Sequence, residues 1–240
     1  MIVITGRRLM GRVEQYEGSF VVTQFLHLNY VPLVPLGSYL VLESDVGPAR
    51  PVSGPTIRRS VPIKLHALSV LAGYLRVWGT MGSLFCIVGA MIASGGAMLV
   101  FLAMAGVLGG LALWAWTALG RLSAEAIAQR RAYGALTHEH VDPALLFRND
   151  NAFRGTLHAN VAQGAQGMMG TSYRTVLDPK RDWAEIALDP LVRDRAFLQA
   201  CLTLARIEWG RAEGPTRGAY ATHHKRIWEK LQTVDPQLPV

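Results

Sequence analysis

The chain has 240 residues, half of them hydrophobic and 17% charged, with a formal net charge of +7. Soluble domains carry about 25% charged residues, so the composition leans towards the membrane class, and two cysteines are too few for a disulfide framework or a cysteine zinc site. The charge divides as +4 before residue 77 and +3 after residue 120, which does not call for nucleic acid and suits contact with anionic lipid.

Near the start lies the pair Arg7-Arg8. A twin-arginine export leader needs an apolar segment next, but Arg12, Glu14, Gln15 and Glu17 occupy that place, so no cleavable signal is expected. MIVITG, RLMGRVEQY, SFVVTQFLHLNY and GSYLVLES are short, rich in Val, Tyr, Phe and Thr, and divided by Gly or Pro. They predict a small β-rich module over residues 1–65. Within it, YVPLVPLGSY reads as a loop, because Pro32 and Pro35 lack the N–H that a strand ladder needs. Tyr30, Pro32, Leu33, Pro35 and Leu36 then form an apolar loop that covers the module's own core or docks on a bilayer or a protein partner.

The stretch TQFLHLNYVPLVPLGSYLV, a Thr-x-Phe strand followed by Pro-Leu-x-Pro and a Ser-Tyr strand, resembles a recurring pattern in poorly characterised bacterial membrane-associated proteins. Some of these add a cysteine zinc ribbon, and this chain lacks those cysteines. The resemblance covers about 20 of the 240 residues; it implies membrane association and no particular activity. From Asp45 to Pro62 the chain is rich in Pro and Gly and predicts an extended linker.

Val77 to Gly120 is a run of 44 residues without Asp, Glu, Lys, Arg or His. As one helix it would reach about 66 Å, roughly twice the 30 Å hydrocarbon thickness. The only strong turn signal inside is Ser94-Gly95-Gly96. Residues 66–121 are therefore expected to form a transmembrane helical hairpin that turns near residues 94–96. Arg76, Trp78, Trp114, Trp116 and Arg121 fall where interfacial anchors belong, with the Arg76 guanidinium reaching the headgroups. Arg58, Arg59, Lys64 and Arg76 precede the run, Arg121, Arg130 and Arg131 follow it, and the turn carries no charge. Positive-inside bias places both termini in the cytoplasm, and arginine outnumbers lysine twenty to four, a codon-usage association with GC-rich bacteria. The expected location is the bacterial inner membrane.

Small residues make two stripes in the run: Gly82, Cys86, Gly89 and Ala93 on the first helix, Ala103, Gly106 and Gly110 on the second. Such stripes let helix backbones approach closely in lipid. Either they face each other within one chain, or one of them joins subunits. The run holds no ionisable side chain to mark a transport path.

Residues 122–240 predict an α-helical cytoplasmic domain. Asp142-Pro143, Asp178-Pro179, Asp189-Pro190 and Asp235-Pro236 are candidate helix starts, because Asp caps a helix and Pro suits its first position. After Asp189-Pro190, Leu191, Leu198, Cys201, Leu202, Ala205 and Trp209 make one apolar stripe, and Tyr220, His224, Ile227 and Leu231 another. THEHVDP holds the only cluster that hints at chemistry: His138, His140 and Asp142 as metal ligands with Glu139 as base, although a polar loop leading into a helix cap explains it more cheaply. QGAQGMMGTSY lacks the Gly-Lys-Ser/Thr of a phosphate loop and reads as a flexible or membrane-adjacent loop containing Met168 and Met169. With no cofactor implied and no catalytic constellation, the expected role is a membrane scaffold or assembly subunit with lipid, a protein partner or a second copy as its contacts. The alternatives are a metal-dependent hydrolase on His138–Asp142 and an accessory subunit of a transporter or oligomeric pore.

Overall fold

The computed structural model describes residues 5–42, 59–168, 183–236 and 238. The chain folds as two compact units, Met1–Leu122 and Ser123–Val240.

The first unit opens with an antiparallel sheet of four strands in sequential order: β1 (Thr5–Tyr16), β2 (Ser19–Leu28), β3 (Val31–Leu42) and β4 (Arg59–Ile63). Asn29 and Tyr30 join β2 to β3 with φ of 47° and 68°, the left-handed backbone that a two-residue hairpin turn needs at both positions. Then comes one continuous apolar helix. It consists of α1 (Ala67–Tyr74), a π-helical turn (Leu75–Gly79) and α2 (Thr80–Ile92). After Ala93–Gly95, where Gly95 has φ +60°, α3 (Gly96–Thr117) runs back alongside. Ala67–Ile92 and Gly96–Thr117 are each long and apolar enough to cross a membrane.

The sheet is locked onto the start of that helix by a chain of buried hydroxyls. Thr23 Oγ1 lies 2.8 Å from Ser38 Oγ and donates to Ser69 Oγ at 2.9 Å, and Ser69 donates to the Gly11 carbonyl at 2.6 Å. Ser38 Oγ also accepts from the His66 backbone N–H at 3.0 Å. Each link satisfies a polar group that burial would otherwise penalise by about 1–3 kcal/mol. Gly11, at φ +71°, marks a bulge in β1; a Cβ there would fall 1.9 Å from the Ser69 carbonyl oxygen. Phe25, fully buried, packs edge-on to Tyr74 with ring centroids 5.2 Å apart. The returning end of the hairpin is held too, since Glu14 N–H donates to the Gly120 carbonyl at 2.7 Å.

Two expectations from the sequence are corrected here. YVPLVPLGSY is not a loop: Tyr30 belongs to the tight turn, and Pro32, Leu33, Pro35 and Leu36 lie in β3. The prolines are tolerated because, among the described residues, β4 pairs only with Ser38–Leu42 and leaves Val31–Gly37 at an edge, and because the β2–β3 register slips around them. The segment read as a linker ends in β4, and its residues 45–58 lie outside the described residues.

The second unit is helical: α4 (Ala124–Thr137), α5 (Pro143–Leu146), α6 (Asn151–Met168), α7 (Trp183–Leu188), α8 (Arg195–Arg211) and α9 (Pro215–Val234). Its core gathers Leu157, Val161, Ile186, Phe197, Leu198, Leu202, Ile207, Ile227, Trp228 and Leu231. Ser123 and Asp194 cap α4 and α8 by accepting backbone N–H groups of their first turns.

Of the four Asp-Pro pairs, only Asp142-Pro143 opens a described helix. Asp189 accepts from Leu191 N–H and turns the chain after α7, Asp235-Pro236 follows α9, and Asp178-Pro179 lies outside the described residues. The dipeptide is equally suited to a side-chain-stabilised turn, and the cap of α8 is Asp194, which has no proline after it. Gly164 and Gly167, expected in a flexible loop, sit inside α6, where Gly164 lets the Phe197 ring approach.

Candidate membrane-contact surface and polar clusters

Helical hairpins in water bury their large side chains; this one buries its small ones. The buried residues of α2 are Cys86 and Ala90, and those of α3 are Ala105, Ala112 and Ala115. Outward point Phe85, Val88, Met91, Ile92, Leu99, Val100, Val107 and Leu113, with Met91 and Ile92 82% exposed. Only 17% and 11% of the most apolar stretches of the two long helices are buried.

The contact between the two helices uses half of the expected pattern. Gly82 and Gly89 sit against Leu108 and Phe101, Cys86 is buried between them in sequence, and Ala93 ends the helix. On α3 the contact face is one position away from the expected stripe. Ser83 donates to the Ala105 carbonyl at 3.0 Å, Gly109 faces Ser83, and Gly79 faces Ala112. Ala103 is exposed, and Gly106 and Gly110 have open space where a Cβ would stand. So many alanines and glycines line α3 that several faces are narrow enough for close approach; the Ser83 hydrogen bond selects one of them.

At the open end of the hairpin, the Arg76 guanidinium is engaged by backbone carbonyls of the chain. Its Nε donates to the Ala115 carbonyl at 2.8 Å, one terminal nitrogen donates to the Arg12 carbonyl at 2.9 Å, and the guanidinium lies 5.2 Å from the Trp116 ring centre. The π turn provides the reason. It widens the helix at Arg76, whose own carbonyl is taken by the Thr80 hydroxyl at 2.6 Å, and the side chain ties α3 and β1 to the first helix. Trp78, Trp114, Trp116 and Arg121 are exposed at this same end of the helices. Trp78 Nε1 donates to the Pro32 carbonyl at 3.1 Å and Tyr74 Oη to the Leu33 carbonyl at 2.7 Å. The tip of the β2–β3 hairpin is thereby fastened along the helix.

In the second unit His138, His140 and Asp142 are separated by role. His138 ends α4 in a left-handed conformation, and the His140 ring packs where a Cβ on Gly134 would stand. Asp142 caps α5 through Ala144 N–H at 2.9 Å and receives Arg206 Nε on both oxygens, at 3.0 and 3.1 Å. Among the described residues no group of three or more His, Cys, Asp or Glu side chains is placed to hold a metal ion.

Sequence reasoning missed the groups that do converge. Tyr133 Oη and His224 Nε2 lie 2.6 Å apart. Burial lowers the His224 pKa to about 4, with the Arg206 charge adding to the effect and Asp142 opposing it; burial first, then the Asp142 charge, raises that of Tyr133. Both are neutral at pH 7. Glu208 accepts from Arg154 and from His158 at 3.1 Å. Burial alone would raise the Glu208 pKa, but these two hydrogen bonds bring it below the usual carboxylate range. Lys230 donates to the Ala187 carbonyl at 2.7 Å and to that of Asp189, so its ammonium caps the end of α7 at the edge of a 490 Å³ groove lined by Val192, Arg193 and Thr233. The His224 position in an otherwise apolar stripe was the one signal available. Its partners come from α4 and α8, far away in sequence.

Comparison with known protein families, curated proteins and solved structures returns no match.

Proposed function

We propose that this chain is an integral membrane protein of the bacterial inner membrane whose hairpin, α1–α2 out and α3 back, crosses the bilayer, and that it acts as a scaffold or assembly subunit. The observation that carries this reading is the inverted hairpin: Ala, Gly and Ser between the helices and Leu, Val, Phe, Met and Trp outside. In water so large an exposed apolar surface is a liability, whereas in lipid it is the solvated face. From Arg76 to Ile92 the first helix rises about 25 Å and α3 about 33 Å, which match a hydrocarbon layer of about 30 Å.

Lys64, Arg76 and Arg121 flank the open end and the turn is uncharged, so positive-inside bias puts the sheet and the second unit in the cytoplasm. The unfilled Ala103, Gly106 and Gly110 face offers α3 to another helix, either a second copy or a protein partner. Crosslinking in native membranes should trap a defined complex that Gly106→Ile and Gly110→Ile abolish while the chain stays membrane-bound. Recovery of a strictly solitary chain would overturn the assembly role. Recovery of the protein in the soluble fraction without detergent would overturn the membrane reading.

A further inference from the structure

We infer that the tip of the β2–β3 hairpin, Leu26 to Leu36, is a wedge seated in the headgroup and upper acyl region of the bilayer around the base of the helical hairpin; this rests on the membrane reading above. Four features of the first unit support it. The tip exposes Leu26, Leu28, Tyr30, Leu33, Val34 and Leu36, most of its apolar side chains.

Its height along the helix is set by hydrogen bonds. The Leu33 carbonyl is held by Tyr74 and the Pro32 carbonyl by Trp78, about 6 Å apart along the axis, on either side of Arg76. Arg76 is the last charge before the 44-residue run. Lipid that surrounds the run from Val77 onward must therefore meet the tip.

The backbone of the tip is also prepared for a medium without water. Among the described residues Val31–Gly37 has no strand beyond it, because β4 pairs with Ser38–Leu42. Open sheet edges at membrane depth cost several kcal/mol per unpaired group. Here Pro32 and Pro35 have no N–H to satisfy, and the carbonyls of Pro32 and Leu33 are taken by Trp78 and Tyr74. The same prolines deny the edge to an added partner strand, which favours lipid over a protein that docks by strand addition.

Finally, cations flank the apolar tip. Arg7 and Arg8 are exposed on β1 opposite Leu26 and Phe25, and the Arg8 guanidinium stands 4.8 Å from the Tyr30 ring centre. An apolar tip with arginines behind it suits a leaflet with anionic headgroups, the apolar part entering about 5–10 Å.

The test uses the full chain in phosphatidylcholine–phosphatidylglycerol vesicles, with Cys86→Ala and Cys201→Ala as background and one nitroxide-labelled cysteine at a time. Labels at Leu33 and, separately, Leu36 report the wedge; Val107, exposed in the middle of α3, is the lipid reference and Glu229 the aqueous reference. Collision with oxygen relative to a water-soluble nickel chelate gives depth. The expected result is a Leu33 and Leu36 ratio between the two references, clearly above Glu229. Should Val107 be lipid-immersed while Leu33 and Leu36 both match Glu229, the wedge is overturned and the spanning hairpin stands. Should Val107 also match Glu229, the membrane reading fails and the wedge with it.

Discussion

In α8 the large side chains point inward, and in α3 they point outward. Phe197, Leu198, Leu202, Leu204 and Ile207 are buried in the second unit, whereas Leu99, Val100, Val107, Leu113 and Trp116 are exposed in the first and only alanines are hidden. The helix α8 also carries Arg206, Glu208 and Arg211, whereas α3 has no charged residue, and on the membrane reading the two answer to opposite solvents. In water the core is where apolar atoms escape hydration; on the membrane reading that drive vanishes between α2 and α3, and close backbone packing with hydrogen bonds such as Ser83 to Ala105 takes its place.

The contrast can be broken by substitution. Leu202→Ala empties a fully buried site and should cost about 2–5 kcal/mol, read as lost hydrogen-exchange protection of α8 and α9 amides. On the membrane reading, Val107→Arg near the middle of α3 should raise the cost of inserting that segment by about 2.5–3.5 kcal/mol in an insertion assay. An unchanged insertion would place α3 outside the hydrocarbon layer.

Acid sharpens the comparison from the other side. His224 has a folded pKa of about 4 against 6.5 when unfolded, so between these values the unfolded chain binds the extra proton. The contribution is present in full above pH 6.5 and is lost as pH falls through about 4, roughly 2–3 kcal/mol in total. Glu208, also lowered, acts in the same direction. Urea resistance of the second unit should fall across that window, and His224→Gln should flatten the dependence. The smallest effect is the most diagnostic: Leu113→Ala, at a side chain 64% exposed, should change fold stability by less than about 0.5 kcal/mol. The same chemical change at Leu202 would then differ severalfold.

Much of the helical architecture was legible in the residues. The apolar stripes through Leu198, Leu202, Ile227 and Leu231 lie on α8 and α9 in the core, because periodicity is a local property that burial then uses. The β3 strand was not legible, since Pro32 and Pro35 forbid a central strand and are harmless at an edge, and only the short reach of β4 makes that stretch an edge. Nor was the pairing of Tyr133 with His224 or of Asp142 with Arg206, which join residues 91 and 64 positions apart. His138, His140 and Asp142 looked like one group because they are adjacent in the chain; a helix end and a cap send them to different tasks.

What the sequence by itself determined is that two helices here are long and apolar enough to cross a membrane, joined near residues 94–96 and preceded by a small β-rich module. Such features follow from uncharged length, turn residues and strand-forming runs read within a short window. Only the tertiary structure decided that Ala105, Gly109 and Ala112, and not Ala103, Gly106 and Gly110, meet the first helix, that Arg76 donates to the Ala115 and Arg12 carbonyls, and that the β2–β3 tip lies along that helix. Those outcomes depend on helix rotation, a π turn and hydrogen bonds between distant residues, and no local pattern encodes them.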